Sequence, residues 1–205
     1  MSIIKIKKNT EYTLVIWKIE EDMNSLLKQL KPTKQETNEI DRFKNHNRKK
    51  QNITSRLILN QLANKKVKLH YSENGVPSCS IFKHISISHS KNYCTVIGSK
   101  NKIGIDIQYY KKNILEISPK FINQKEKKTS NGNKETLHFI WCAKEAIYKT
   151  LNGINCSFKE NIHIEEMNDK HTTCGYYHNL KKTIKYDVYC EKFETYFMAI
   201  AIIKP

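Results

Sequence analysis

Two short segments carry acidic side chains at positions where a carboxylate needs a partner. The segment IGIDIQ, residues 103–108, reads as a buried strand with Asp106 among isoleucines. An ionised carboxylate in such a strand is costly unless a positive group or a metal ion pairs with it. The segment WCAKEAIYK, residues 141–149, reads as an amphipathic helix with Glu145 and Lys149 one turn apart. Together the two segments predict a site for a metal ion and a phosphate.

Asp106 and Glu145 have the chemistry of magnesium ligands. Mg²⁺ takes one or two carboxylates beside waters and substrate phosphates, and Lys149 would face the same phosphates. The two-residue period of a strand puts Gly104 and Gln108 on the face of Asp106, and we expect Gly104 to leave room there for a ligand. The alternative is an ordinary hydrogen-bonded aspartate and a surface ion pair worth about 0.2–0.5 kcal/mol. The surface pair explains the spacing of Glu145 and Lys149 but assigns no purpose to Asp106.

Two further groups of residues have phosphate-binding chemistry. In the strand ISISHS, Ser88 and His89 lie near the strand end, where hydroxyl, imidazole and amide groups can bind phosphate oxygens. Arg48, Lys49 and Arg56 lie within about two turns of one predicted helix, a spacing that can hold a phosphate from one face. A structural histidine and a solvated run of charge are the alternatives.

The elements that must position these residues recur in the same order in both halves. The first half reads as a strand at 12–19, helices from 22 to 64 broken near 31–32 and 45–47, and strands at 67–71, 84–90, 92–99 and 102–108. The second half reads as a helix broken at Pro119, a polar connection at 124–134, a long helix at 135–153 stopped by Gly153, and four β segments. We therefore predict an α+β fold of two similar subdomains, 1–103 and 104–205, each a small antiparallel sheet packed with helices.

The composition restricts the class of protein. The chain has 205 residues, enough to bury a core in one or two domains. Its six cysteines form no CxxC pair and its first residues form no secretory signal, so we expect reduced thiols, a cytoplasmic location and no membrane segment. The net charge of +16 indicates a polyanionic partner, although base composition of the genome explains the lysines equally well.

With these elements identified, the chain resembles the 4'-phosphopantetheinyl transferases of the two-subdomain, surfactin-synthetase-activating type. The resemblance rests on ISHS, GIDIQ and WCAKEAIYK in that order, and it covers about residues 48–158. It implies a pseudo-dimer of two α+β halves with coenzyme A in the cleft between them. It also implies an enzyme that moves the phosphopantetheine arm of coenzyme A onto a serine of an apo acyl or peptidyl carrier protein and releases 3',5'-ADP. Such an enzyme would be a monomer and would act in fatty acid biosynthesis or a related pathway.

The resemblance also implies roles for individual residues. Asp106 and Glu145 would hold Mg²⁺, with Mn²⁺ as a substitute, and Gln108 would complete the metal shell directly or through water. Glu145 would take the serine proton, and Lys149 would stabilise the leaving phosphate. The coenzyme A contacts would be Arg48, Lys49, Arg56, Ser88, His89, Lys149 and Lys34.

Two positions depart from the family pattern. Gln108 stands where the family often has a second carboxylate, so we expect weaker metal binding or a changed Mg²⁺/Mn²⁺ preference. Val76 stands where many members have a basic residue, and Lys83 or Lys91 would have to replace that phosphate contact. Because carrier proteins are acidic around their serine, the lysines at 120–134 are the expected docking face.

Other functions compete with this interpretation. A nucleic-acid-binding protein is compatible with the net charge and with the aromatic and basic segments YYKK at 109–112 and Tyr176–Tyr177. Gel shifts with competing coenzyme A would distinguish it from a transferase, which should bind no specific nucleic acid. A zinc-stabilised module is disfavoured, since Cys174 with His178 is the only ligand-like spacing. A degenerate relative that binds coenzyme A and transfers poorly is the third alternative.

Overall fold

The computed structural model describes residues 3–203, which divide into two compact units. The first unit contains residues 3–72 and 77–100, and the second contains residues 73–76 and 101–203. Each unit has its own apolar core.

The first unit is an antiparallel sheet packed with helices. Its four-stranded sheet has the order β1-β2-β6-β5, and β3 and β4 form a separate short ladder. The side chain of Asn45 caps the longest helix, whose buried face contributes Ile53, Ile58 and Leu59 to the core. The elements are β1 (Ile3–Lys8), β2 (Tyr12–Lys18), α1 (Met23–Leu30), α2 (Lys34–Asp41), α3 (His46–Ala63), β3 (His70–Tyr71), β4 (Pro77–Ser78), β5 (His84–Ser90) and β6 (Tyr93–Ser99).

The second unit is a five-stranded antiparallel sheet with one long helix against it. The strand order is β7-β11-β10-β9-β8, which leaves β7 and β8 as the edge strands of this sheet. A short 3-10 helix, Ser118–Lys120, follows the first helix. The elements are β7 (Ile103–Tyr109), α4 (Ile114–Ile117), α5 (Gln124–Ser130), α6 (Lys134–Thr150), α7 (Phe158–Asn161), β8 (Ile162–Ile164), β9 (Thr172–His178), β10 (Thr183–Phe193) and β11 (Tyr196–Ile203).

Helix α6 forms the centre of the second core. The side chain of Asn133 caps it, and its buried positions Leu137, Ile140, Ala143 and Ile147 recur at helical spacing, as the sequence predicts. These side chains pack on the inner face of the sheet, where alternate residues of each strand point. The opposite side of the helix is less buried and carries Glu145.

The two units have a similar order of strands and helices along the chain. In the first, β2 leads to α3 and then to the hairpin β5–β6, with β6 beside β2. In the second, β7 leads to α6 and later to the hairpin β10–β11, with β11 beside β7. The predicted α+β class, with antiparallel sheets packed with helices, is confirmed. The ligand cleft stays a prediction.

Several predicted boundaries are wrong. The polar connection at 124–134 contains α5, because Asn123 and Glu126 form a capping box at its start. Helix α6 ends at Thr150, three residues before Gly153, and the strand predicted at 67–71 is reduced to His70–Tyr71.

Two further features concern the cysteines and the length of the helices. All six cysteines are free thiols, and Cys94, Cys142 and Cys190 are buried. Within residues 3–203, no helix combines the length and the apolar character needed to cross a lipid bilayer.

Candidate active site

Strand β7 and helix α6 approach each other closely at Gly104. A Cβ atom at this position would collide with the carbonyl oxygen of Ala146 and would lie 3.1 Å from Cγ2 of Thr150. The expectation that Gly104 leaves room for a ligand is therefore wrong, because the backbone of α6 fills that space. Gly104 instead allows the helix to lie directly on the strand that carries Asp106.

Lys149 forms an ion pair with Asp106. Its ammonium group lies 2.8 Å from Oδ1 of Asp106 and donates a second hydrogen bond of 2.8 Å to the carbonyl oxygen of Ile105. The side chain of Lys149 is 26% exposed and that of Asp106 is 10% exposed. We call this contact the Lys149 pair. It supplies the positive partner that a carboxylate in an apolar strand requires.

Glu145 lies one helical turn before Lys149 and is also close to Asp106. Burial, and to a smaller extent the negative charge of Asp106, raise the pKa of Glu145 to about 7, while the positive charges of Lys149 and Lys111 oppose the shift. A carboxylate that is destabilised by burial and by a second carboxylate gains from a nearby cation. Asp106 and Glu145, which are remote in sequence, therefore interact in the fold.

Gln108 lies two residues after Asp106 on the same face of β7 and is half-buried. Its side-chain amide donates a hydrogen bond of 3.0 Å to the carbonyl oxygen of Tyr109. That bond uses the nitrogen and leaves the amide oxygen as the atom with the chemistry of a metal ligand. The metal role of Gln108 stays a prediction.

Lys144, directly before Glu145, belongs to a buried ion pair that the sequence analysis does not predict. Its ammonium group is fully buried and lies 2.7 Å from Oε2 of Glu126, whose side chain is 1% exposed. It also donates to the carbonyl oxygens of Phe121 and Phe158, at 2.7 and 2.9 Å. We call this contact the Lys144 pair.

Glu126 completes that buried network from the other side. One of its carboxylate oxygens accepts from the backbone N–H of Ile164, at 2.8 Å, and the other from that of Asn123, at 2.8 Å. The Lys144 pair thus joins α6 to α5, to the start of α7 and to β8. In the sequence, the signal for this network is the Asn-x-x-Glu capping pattern, which lies in a polar segment predicted to be a loop.

In the first unit, Arg48 and His89 are in contact. Nη1 of Arg48 lies 2.8 Å from Nδ1 and 2.7 Å from Nε2 of the His89 ring. This contact brings the start of α3 to the end of β5, as a shared phosphate site would need. Ser88 is buried, and its carbonyl oxygen accepts from the hydroxyl of Thr95 at 3.2 Å.

The other basic residues predicted to bind phosphate lie in different environments. Arg56 is 1% exposed and its guanidinium lies 2.7 Å from Glu39 and 3.6 Å from Glu36, which is the geometry of a structural ion pair. Lys49 lies 2.6 Å from Asp41. Lys34 is the exposed first residue of α2. Their binding roles stay predictions.

The donor set around Asp106 fits a hard divalent cation, although it is sparse. Within residues 3–203, no three or more His, Cys, Asp and Glu side chains already surround one point. Two carboxylates and one amide oxygen suit Mg²⁺, which keeps several waters and uses substrate phosphates as ligands. Burial of Glu145 and its repulsion by Asp106, which together raise its pKa, favour a cation here.

Comparison with known proteins identifies the second unit. No curated protein matches the chain. A family model described as the 4'-phosphopantetheinyl transferase superfamily matches residues 102–201. The matched range contains Asp106, Gln108, Glu145 and Lys149, and it leaves Arg48 and His89 outside. Residues 102–201 form a domain of the 4'-phosphopantetheinyl transferase superfamily.

Proposed function

We propose that the protein transfers the 4'-phosphopantetheine arm of coenzyme A to a serine of an apo acyl or peptidyl carrier protein, in a Mg²⁺-dependent reaction that releases 3',5'-ADP. One observation carries this proposal: inside the matched domain, β7 and α6 bring Asp106 close enough to Glu145 to raise its pKa. Two interacting carboxylates beside a lysine suit a reaction at a pyrophosphate.

The proposed metal ligands are Asp106, Glu145 and the amide oxygen of Gln108. Mg²⁺, or Mn²⁺ in its place, would neutralise charge that develops on the pyrophosphate as the leaving group departs. Since Lys149 already lies on Asp106, its ammonium is well placed to act on the same phosphates.

Glu145 is the proposed acceptor of the serine proton. In the reaction, the serine oxygen forms a bond to the phosphorus of the arm, the bond from that phosphorus to the leaving 3',5'-ADP oxygen breaks, and the serine proton passes to Glu145 directly or through water. A general base must be unprotonated at the working pH, and burial raises the pKa of Glu145 to about 7 in the metal-free protein. A bound cation would favour the unprotonated form that accepts the serine proton. Lys149 would stabilise the negative charge on the departing phosphate.

The contact between Arg48 and His89 supports a phosphate role for the first unit. Arginine offers a planar set of donors that suits phosphate oxygens, and an imidazole beside it adds another donor when protonated. We propose these two residues as the principal coenzyme A contacts outside the matched domain. Ser88, Lys49, Lys34 and Arg56 complete the proposed set.

An acidic carrier protein is the proposed partner. Lys120, Lys125, Lys127, Lys128 and Lys134 are all exposed on one stretch of the second unit. Charge complementarity accelerates encounter and weakens as salt concentration rises. Changing Lys125, Lys127 and Lys128 to Glu should raise the KM for the carrier several-fold without changing the Kd for coenzyme A; an unchanged KM would place the docking face elsewhere.

The proposed activity is tested by incubating the protein with coenzyme A, Mg²⁺ and a panel of apo carrier proteins. Intact-mass measurement of each carrier should show the addition of one phosphopantetheine arm. Asp106→Ala and Glu145→Ala should abolish the addition. Glu135→Ala is the matched control, because Glu135 lies on the same helix but pairs with Lys192 on the surface.

A second result would favour the degenerate relative. If the wild-type protein binds coenzyme A by calorimetry but modifies no carrier, and Gln108→Glu does modify one, then Gln108 is the cause of the lost activity. If neither protein binds coenzyme A, the proposed function is wrong.

A further inference from the structure

Strands β8 and β9 bring together two histidines that lie far apart in the sequence. The ring centroids of His163 and His178 are 5.1 Å apart, with an angle of 66° between the ring planes. Both residues are half-buried, and both lie on the sheet face opposite the core, since their neighbours Ile162, Ile164 and Tyr177 are buried. The pairing of the two strands, rather than a local spacing, creates this contact.

The distance between the rings matches that of two imidazoles on one metal ion. Tetrahedral Zn²⁺ binds imidazole nitrogen at about 2.0–2.1 Å, which places two bound ring centres about 5 Å apart. The spacing of the two rings is therefore compatible with binding of one ion, once their nitrogens turn toward it. We propose that His163 and His178 form a second metal site, separate from Asp106, for a divalent transition ion such as Zn²⁺.

Each ring already has one nitrogen fixed by a hydrogen bond. Nε2 of His163 lies 2.9 Å from the carbonyl oxygen of Glu160, which can only accept, so in the neutral ring Nδ1 keeps its lone pair. Nδ1 of His178 lies 2.8 Å from the hydroxyl of Thr183, and donation to that oxygen leaves Nε2 for the metal. Such partners orient ligating histidines and fix their tautomers in known metal sites.

The surroundings provide room and a further oxygen ligand. His163, His178 and Glu165 line a cavity of about 440 Å³, together with Tyr176 and Lys125. Glu165 lies two residues after His163 and continues the ladder, since its N–H bonds to the carbonyl oxygen of Cys174 at 3.0 Å. Its carboxylate is therefore on the side of His163. Within residues 3–203, no set of three such ligands is preassembled. The proposed site would therefore need Glu165, after a rotamer change, and water to complete the shell.

The site would stabilise the edge of the second sheet. Strand β8 has only three residues and pairs on one side alone. An ion held by β8 and β9 joins this short edge strand to its neighbour. Zn²⁺ should then raise the melting temperature of the protein, by an amount that grows with the logarithm of its concentration above the Kd.

The test is calorimetric titration of the full chain with ZnCl₂ at about pH 7.5 in excess MgCl₂, which would compete with Zn²⁺ at the proposed site of Asp106. We expect one Zn²⁺ per chain, at least tenfold weaker binding in His163→Gln and in His178→Gln, and binding about 10–100-fold weaker in Thr183→Val. His70→Gln, at an exposed histidine of the first unit, should bind like the wild type.

Two outcomes would overturn the proposal. The first is absence of Zn²⁺ binding by the wild type. The second is binding that persists in both histidine variants, which would assign it to the thiols or to Asp106. Circular dichroism of each variant without metal checks that the fold is retained, and the expected loss of the Zn²⁺-dependent rise in melting temperature is independent of transferase activity.

Discussion

Two lysines of helix α6 bind carboxylates at similar distances but in different environments. In the Lys144 pair the two side chains are 0% and 1% exposed, whereas in the Lys149 pair they are 26% and 10% exposed. Lys144 also donates to two carbonyl oxygens from separate segments, and Lys149 donates to one, from the strand of Asp106 itself. We infer that the Lys144 pair is fixed by the fold, while the Lys149 pair can exchange its partners for a ligand.

The largest effect should follow from Lys144→Met. Removal of one partner leaves Glu126 as an uncompensated buried charge, which costs about 3–5 kcal/mol of the free energy of unfolding. Urea denaturation measures this loss. Lys192→Met is the matched control, because it breaks the exposed pair with Glu135 on the same helix and should cost at most about 1 kcal/mol. Equal losses in the two variants would show that burial does not distinguish the pairs.

Lys149→Met should affect catalysis more than stability. Loss of a cation that stabilises developing charge lowers kcat about 10²–10³-fold. The free energy of unfolding should fall by about 1–3 kcal/mol, less than for Lys144→Met, because the side chain of Asp106 is 10% exposed whereas that of Glu126 is 1% exposed. Parallel measurement of transfer kinetics and denaturation separates the two effects. If Lys149→Met loses stability but keeps the kcat of the wild type, then Lys149 has a structural role and not a catalytic one.

The metal-free protein should lose stability as pH rises from about 4.5 to about 7 through the titration of Glu145. Its pKa is raised to about 7 in the folded protein, so across this range the folded state holds a proton that the unfolded state has released. Deprotonation then places a second negative charge beside Asp106. Denaturation over this pH range, with Glu145→Gln as the comparison, measures the effect.

Glu145→Gln should abolish that pH-dependent loss and unfold at higher urea concentration than the wild type at neutral pH. A slope that is the same in both proteins would mean that another group titrates.

The smallest effect should come from Gln108→Glu. A carboxylate in place of the amide adds negative charge beside the Lys149 pair and a stronger oxygen ligand for Mg²⁺. The Mg²⁺ concentration for half-maximal transfer should fall about tenfold. Gln108→Leu, which keeps the volume but has no ligand atom, should require more Mg²⁺ than the wild type. If the two variants behave alike, Gln108 does not take part in metal binding.

The sequence predicted the elements whose signal is periodic and local. Strand β7 and helix α6 follow from their apolar periods, and the proximity of Asp106 and Glu145 follows once a family pattern connects them. Helix α5 was missed because all seven of its residues are polar and its stability comes from the capping box and from Glu126 binding Lys144. The roles of Gly104 and Arg56 were also beyond a local reading, since each depends on a partner remote in sequence.

Because residue 104 is a glycine, strand β7 and helix α6 are in close contact, and this contact restricts motion in the site. The backbones of the strand and the helix are in contact there, so the contact opposes sliding of one element past the other. Sliding would change the distance between Asp106 and Glu145. The two carboxylates should therefore fluctuate as one rigid block, and the backbone amides of Ile105 and Ala146 should exchange with deuterium at the slow rate of the whole second unit. An added methyl group, as in Gly104→Ala, would act as a wedge that speeds this exchange.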